Sequence, residues 1–238
     1  MNTAELIAAV RIRLDDYVLP TLVSDETILE QASFTQVEFA RNTLVLYDVS
    51  SADIIYDYPW LELPSNLCLL KAVIVNGLQL RLVTISELDF GYFTLPTENS
   101  GRFSNWRSVT GTPKFVVVDM HPNKVRLVPY PSSSGTASIE GYIVPESITT
   151  AVPPTIPTMY HELLVSGTLV RLYSLFDVDT FSSMKAQVYS AQWYQGLAEA
   201  QNNLRTSLRR QVRVMELPRG FVFEPAKSAP STANTSAT

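Results

Sequence analysis

The residues of this chain that could do chemistry are few: two histidines, one cysteine and some neighbouring acids. His121 stands in His121-Pro122-Asn123, a turn signal, and His161 lies between Tyr160 and Glu162 at the start of a predicted helix. A hydrolytic triad needs a serine on a tight elbow and a histidine steered by a carboxylate. No Gly-x-Ser-x-Gly occurs, so neither histidine is assigned a catalytic role. Cys68, within Leu67-Cys68-Leu69-Leu70, reads as a small buried apolar residue. A single cysteine excludes internal disulfides, and with no His-x-x-x-His pair it leaves no zinc ligand set. Asp177-Val178-Asp179 lacks the glycine and closing glutamate of a calcium loop, and reads as a helix junction with an Asp or Thr180 as cap. Asp15 and Asp16, adjacent on a helix, point apart and read as a surface pair. Nine glycines form no phosphate-binding loop. The expectation is no catalytic residue, no metal and no cofactor.

Two other groups suit binding. Arg205, Arg209, Arg210 and Arg213 recur near the end of the last predicted helix, ahead of Phe221 and Phe223. Such a cluster fits phosphate contacts or docking on an acidic partner, and no helix-turn-helix or zinc module accompanies it to read sequence. Phe103 and Trp106, beside Arg102 and Arg107 in a stretch rich in Asn, Ser, Thr and Gly, read as exposed interface aromatics. Trp60 and Trp106 with nearby acids also allow a sugar-binding or hydrolase module, although aromatics in a β region more often serve as core or interface anchors.

These residues need elements to hold them. Leu6, Ile7, Val10, Leu14 and Tyr17 form one helical stripe, which Pro20 ends. Ser24 caps a second helix carrying Ile28, Leu29, Ala32, Gln36, Phe39, Ala40 and Leu44, with Gln36 a polar break. From about Tyr56 the runs turn strand-like: Tyr58 to Glu62, Leu69 to Val75, an Asn76-Gly77 hairpin, and Leu78 to Val83. Thr84-Ile85-Ser86-Glu87 is a capping box for a short helix over 85–91. Lys114 to Asp119, Lys124 to Val128 and Ala137 to Val144 follow as strands, and connections this short predict antiparallel pairing throughout. After Pro153, Pro154 and Pro157, a helix runs to about Phe176. A second, about 30 residues and ~45 Å long, presents Phe181, Met184, Val188, Gln192, Leu197, Ala200, Leu204 and Leu208. From Ala226 onward the composition predicts disorder in isolation.

The predicted fold is α+β: a helical bundle built from N- and C-terminal helices, an inserted antiparallel β meander or sandwich, and an extended C-terminal arm. The expected boundaries are a hairpin over 1–52, a β domain over 53–150, helices over 151–211 and the arm over 212–238. Charged residues are only 17% of the chain, which suits a surface partly covered by neighbours. Charge is also divided: residues 1–199 carry −9 and residues 200–238 carry +4, an acidic body with a basic arm. No apolar run is long enough to cross a membrane and the first residues lack a secretory pattern, so synthesis in the cytoplasm with no membrane step is expected.

From Gly111 to Tyr173 an ordered series of short motifs stands out: Gly111-Thr112-Pro113-x-Phe115, Val125-Arg126-Leu127-Val128-Pro129-Tyr130-Pro131, Tyr142-Ile143-Val144-Pro145, and Ile156-Pro157-x-x-Tyr160-His161-Glu162-Leu163-Leu164. Their order, with Leu14-Asp15-Asp16 and Ser24-Asp25-Glu26 before them, resembles the head-to-tail adaptor (connector) proteins of tailed bacteriophages, the short-tailed type above all. The resemblance implies a structural virion protein of the neck, not an enzyme, in a ring of twelve copies between the portal protein and the tail. Its implied partners are the portal, tail nozzle or fibre-bearing proteins and its own copies, with genomic DNA passing through the lumen without sequence-specific binding. It further implies a C-terminal segment that reaches the portal, which by position and character is the stretch holding Arg205, Arg209, Arg210, Arg213, Phe221 and Phe223. Phe103 and Trp106 fall on the tail side. Another neck or tail-completion protein is the alternative within the same class.

Overall fold

The computed structural model describes residues 1–16, 21–89, 106–175 and 182–214, with the side chains of 205–214 left out. Helix α1 (Thr3–Leu14) starts at a capping box in which Asn2 and Glu5 exchange bonds with each other's backbone. It ends at Asp15 in the left-handed region, two residues beyond Arg13. Helix α2 (Asp25–Thr43) is capped by Ser24, as its sequence predicts, through a 3.1 Å bond from the Thr27 amide.

Strand β1 (Tyr47–Ile54) follows at once, inside the stretch expected to be helical hairpin. The left-handed Leu44 stops α2, and Val49, Ile54 and Ile55 among small polar residues suit an extended edge better than a helix. Then come β2 (Trp60–Glu62), β3 (Leu67–Val75), β4 (Leu78–Gln79), β5 (Arg81–Val83), helix α3 (Ile85–Asp89), β6 (Thr110–Gly111), β7 (Phe115–His121), β8 (Lys124–Val128), β9 (Tyr130–Pro131) and β10 (Gly135–Ile143). Asn76 and Gly77 both have positive φ, the geometry of the primed two-residue hairpin that Asn-Gly favours. Glu87 and Thr84 close the predicted capping box at the head of α3.

The strands make a sandwich of two four-stranded sheets, ordered β1-β10-β3-β4 and β2-β8-β7-β5, beside a small β6-β9 pair. Pairing is not antiparallel throughout. The segment expected as one returning strand breaks at Leu80: β4 stays with β3, while β5 crosses to the second sheet and runs parallel to β7. β6 and β9 are also parallel. The crossover through α3 and the segment beyond it is long enough to allow a parallel return, which strand-by-strand spacing does not reveal. β10 closes the first sheet between β1 and β3, so the sandwich excludes a simple meander.

Alternation along β7 and β8 explains their apolar runs. Val116 and Leu127 face the first sheet, among Ile54, Leu61, Val73 and Ile139. Val117 and Val128 face the other way, under Leu88 of α3 and Trp106. The second sheet is therefore covered on both faces.

After β10 the chain returns across α2. Gln36, fully buried, is no defect in the helix: its Nε2 donates to the Glu146 carbonyl and its Oε1 accepts from the Thr155 amide. Ser33 accepts from the Ile148 amide at 2.8 Å. These bonds fasten the Pro-rich linker to the bundle. A 3-10 turn (Thr158–Tyr160) leads into α4 (His161–Tyr173), and α5 (Ser183–Val214) completes the bundle. α4 is the central helix and packs on α1, α2 and α5, with Leu164, Leu169 and Leu172 fully buried.

The stripe expected on α5 is displaced at its first half. Met184 and Val188 are 77% and 54% exposed, whereas Trp193, Leu197 and Ala200 are buried, with Tyr189 packed against the same core. Gly167 of α4 lets the helices approach along the Trp193 face, where a Cβ would collide with the indole, and Gly196 of α5 makes room for Leu163. Tyr17, Phe181 and residues 177–180 lie outside the described residues.

Candidate functional site

The residues that could do chemistry are scattered. His161 belongs to the bundle, where it is buried and its Nε2 bonds the Ile156 carbonyl at 2.9 Å, closing the 3-10 turn. His121 belongs to the sandwich, where its Nδ1 accepts from the Asn123 amide at 3.3 Å and its ring meets Trp60 edge-on. Neither hydrogen bond is to a carboxylate. No group of three or more metal-ligating side chains gathers among the described residues. Cys68 is exposed, contrary to its apolar surroundings. It occupies the first half of β3, where Cys68, Leu69 and Lys71 lie open and burial begins only at Ala72.

Asp16 is a second correction. It is 3% exposed, not a surface acid, because it organises the exit from α1. Its two oxygens accept from the amides of Leu22 and Val23 at 2.7 and 3.1 Å, and from Arg11 Nη1 at 2.9 Å. Arg11 also reaches the Val23 carbonyl and Asp25 in the first turn of α2. The arrangement turns the chain between two helices.

Trp106 is the third. It is 1% exposed, so it is not presented as an interface aromatic. Val83, Leu88, Val117 and Val128 offer an apolar seat that its polar neighbours in sequence do not suggest. Its indole N–H donates to Asp89 at 2.8 Å, and the Arg107 guanidinium covers the ring at 4.3 Å from its centre. These contacts, the Trp106 hydrogen bond first and Arg107 second, hold the Asp89 carboxyl below the ordinary 3.8.

Beside it Arg126, 8% exposed, lies among the rings of Trp60, Trp106 and Tyr130 at 5.8, 5.3 and 5.1 Å. Its Nη2 donates to the Arg107 carbonyl and the Tyr130 hydroxyl, and its Nε has no partner among the described residues. Aromatic faces stabilise a guanidinium in this way without a counter-ion. The cluster fixes a cation and supplies neither nucleophile nor acid–base pair. Sequence reading missed it because Arg126 sits in an otherwise apolar strand.

What the surface offers instead is apolar area. Ile12, Met159 and Tyr194 are 70%, 72% and 64% exposed on the bundle, and Met159 lines a 610 Å³ groove between α4 and α5 that Arg13 and Glu162 border as an ion pair. On the sandwich, Tyr47, Val49 and Leu69 share an open sheet face. Tyr47 donates to Glu140 there, and that hydrogen bond raises its hydroxyl to about 12. Arg205, Arg209, Arg210 and Arg213 fall within α5, with their side chains not described; Phe103, Phe221 and Phe223 lie outside the described residues. No helix of the described residues is long and apolar enough to cross a membrane.

No curated protein matches the chain. A family model described as SU10 adaptor protein matches residues 1–215, which takes in bundle and sandwich together. The chain belongs to this family and is a phage adaptor, a structural protein of the virion.

Proposed function

We propose that the chain is the subunit of a ring, of twelve copies as the sequence resemblance implies, set between the portal and the tail of a short-tailed phage. The observation that carries this reading is a family match running unbroken from the first helix to the end of α5. The bundle faces the portal and the sandwich faces the tail nozzle or fibre-bearing proteins. DNA passes through the lumen without sequence-specific contacts, and the protein works as a scaffold without catalysis in the neck of the virion.

The exposed apolar residues support the reading. Met184, Val188 and Tyr194 on α5, with Ile12 and Met159, are the side chains a neighbour in a head-to-tail ring covers. Residues 212–238 with Phe221 and Phe223, together with Arg205, Arg209, Arg210 and Arg213, form the portal-docking arm. On the tail side Trp106 acts as a buried anchor, so contact there rests on Phe103.

Electron microscopy of the protein mixed with the portal ring of the same phage tests this. An added layer beneath the portal, sharing its symmetry, is the expected result. A bare portal beside folded free subunits would assign the chain to another neck or tail-completion role.

A further inference from the structure

Sheets end in edges, and this sandwich treats its four edges unequally. β4, β5 and β2 have two, three and three residues, too short to template another strand. β1 has eight, roughly 26 Å of extended backbone. It pairs with β10 on one side only, in an unbroken register from Tyr47 opposite Tyr142 to Ile54 opposite Gly135.

The register shows which groups are free. The Ile143 amide donates to the Leu46 carbonyl at 2.9 Å, so these facing residues form a hydrogen-bonded pair. Antiparallel pairs alternate, so Asp48, Ser50, Ala52 and Ile54 direct their backbone groups to β10. Tyr47, Val49, Ser51 and Asp53 direct theirs outward, and no backbone partner for them exists among the described residues. Proteins usually protect such an edge with lysine, proline or a bulge. β1 has none of the three, its only charges being Asp48 and Asp53.

Alongside it runs a groove of about 760 Å³ between the edge strands of the two sheets. Tyr58, Trp60, Leu63 and Pro64 provide an apolar floor for alternate side chains of an added strand. Asp53 and Glu62 line it, Glu62 in an ion pair with Lys124 at 2.9 Å, and no Lys or Arg is among its lining residues. We infer that β1 is a docking edge for an extended segment of another polypeptide, apolar at alternate residues and bearing lysine or arginine, which joins the first sheet as a fifth strand. A second copy's β1 fits less well, since it brings Asp48 and Asp53 and no cation. The inference rests on the adaptor reading, in which the chain works among other chains.

Hydrogen exchange on the full chain, free and in its complex with portal and tail proteins, tests it. In the complex the amides of Tyr47, Val49, Ser51 and Asp53 should slow by more than about tenfold, while those of Ser50 and Ala52 are protected in both states. A photo-reactive residue at position 49 should cross-link to a basic, extended stretch. Ser51→Pro leaves the β10 ladder intact and should abolish the cross-linked contact, and the milder Asp53→Lys should weaken it. Unchanged edge amides in a complex that still forms, or a cross-link to β1 of a second copy, would overturn the inference. Failure of the unaltered chain to join any complex would instead sink the adaptor reading, and this inference with it.

Discussion

Asp16 is the residue on which the first helical turn depends. Removing its carboxylate leaves the Leu22 and Val23 amides unpaired and takes one partner from the mostly buried Arg11, which keeps Asp25. Asp16→Ala should therefore cost about 3 kcal/mol and lower Tm by about 6–12 °C in thermal unfolding. Asp16→Asn, which retains an acceptor, should cost less. Asp89 makes a pH-dependent contribution. Its folded pKa is depressed, so the stability it adds is present above the ordinary 3.8 and is lost as pH falls through the lower folded value. In a variant keeping Trp106 as its only tryptophan, fluorescence should report loosening with a midpoint below 3.8; a midpoint at or above 3.8 would remove the Asp89–Trp106 bond from the account.

Among the elements, the helix contacts differ in how far they can yield. A Cβ at Gly167 would stand 2.5 Å from Thr35 Cγ2 and 2.7 Å from the Trp193 ring, both held in the core. At Gly196 it would meet the outer atoms of Leu163, which can rotate away. Gly167→Ala should thus destabilise by about 1–2 kcal/mol despite its better helix propensity, while Gly196→Ala should be neutral or stabilising. Equal Tm losses for the two would show that the α4–α5 and α2–α4 contacts are equally rigid. The main helices were legible because their periodicity and caps are local: Ser24, Thr84 and Glu87 do what their spacing predicts. Residues whose surroundings come from elsewhere in the chain were not. Trp106 has polar neighbours in sequence and an apolar seat in space, while Cys68 has the reverse. β5 and β7 pair parallel because of a crossover that no single segment encodes.

For the whole molecule, charge and apolar exposure belong to an assembled state. The described body is acidic in bundle and sandwich alike, apolar side chains lie open on both, and the basic residues follow at the C-terminal end. Deleting residues 212–238 leaves every residue of the described cores in place, so the truncated chain should keep its Tm while losing attachment to the portal. Docking undiminished in a pull-down would take the arm out of the proposed mechanism. The fold class was readable from helix and strand periodicity and the phage adaptor class from motif order, whereas the proposed docking edge was not, since β1 lies partly in an expected helical stretch.

The root of the sandwich has a consequence of its own. The chain leaves the bundle at Leu46 and comes back at Ile143, and these two residues face each other across one hydrogen-bonded pair. Entry and exit are therefore one doorway, and everything between them can be exchanged without rethreading a helix. A graft that replaces residues 47–142 by another hairpin-rooted module asks nothing new of the bundle. In the proposed arrangement, such a plan lets a lineage keep its fit to the head while changing what hangs below.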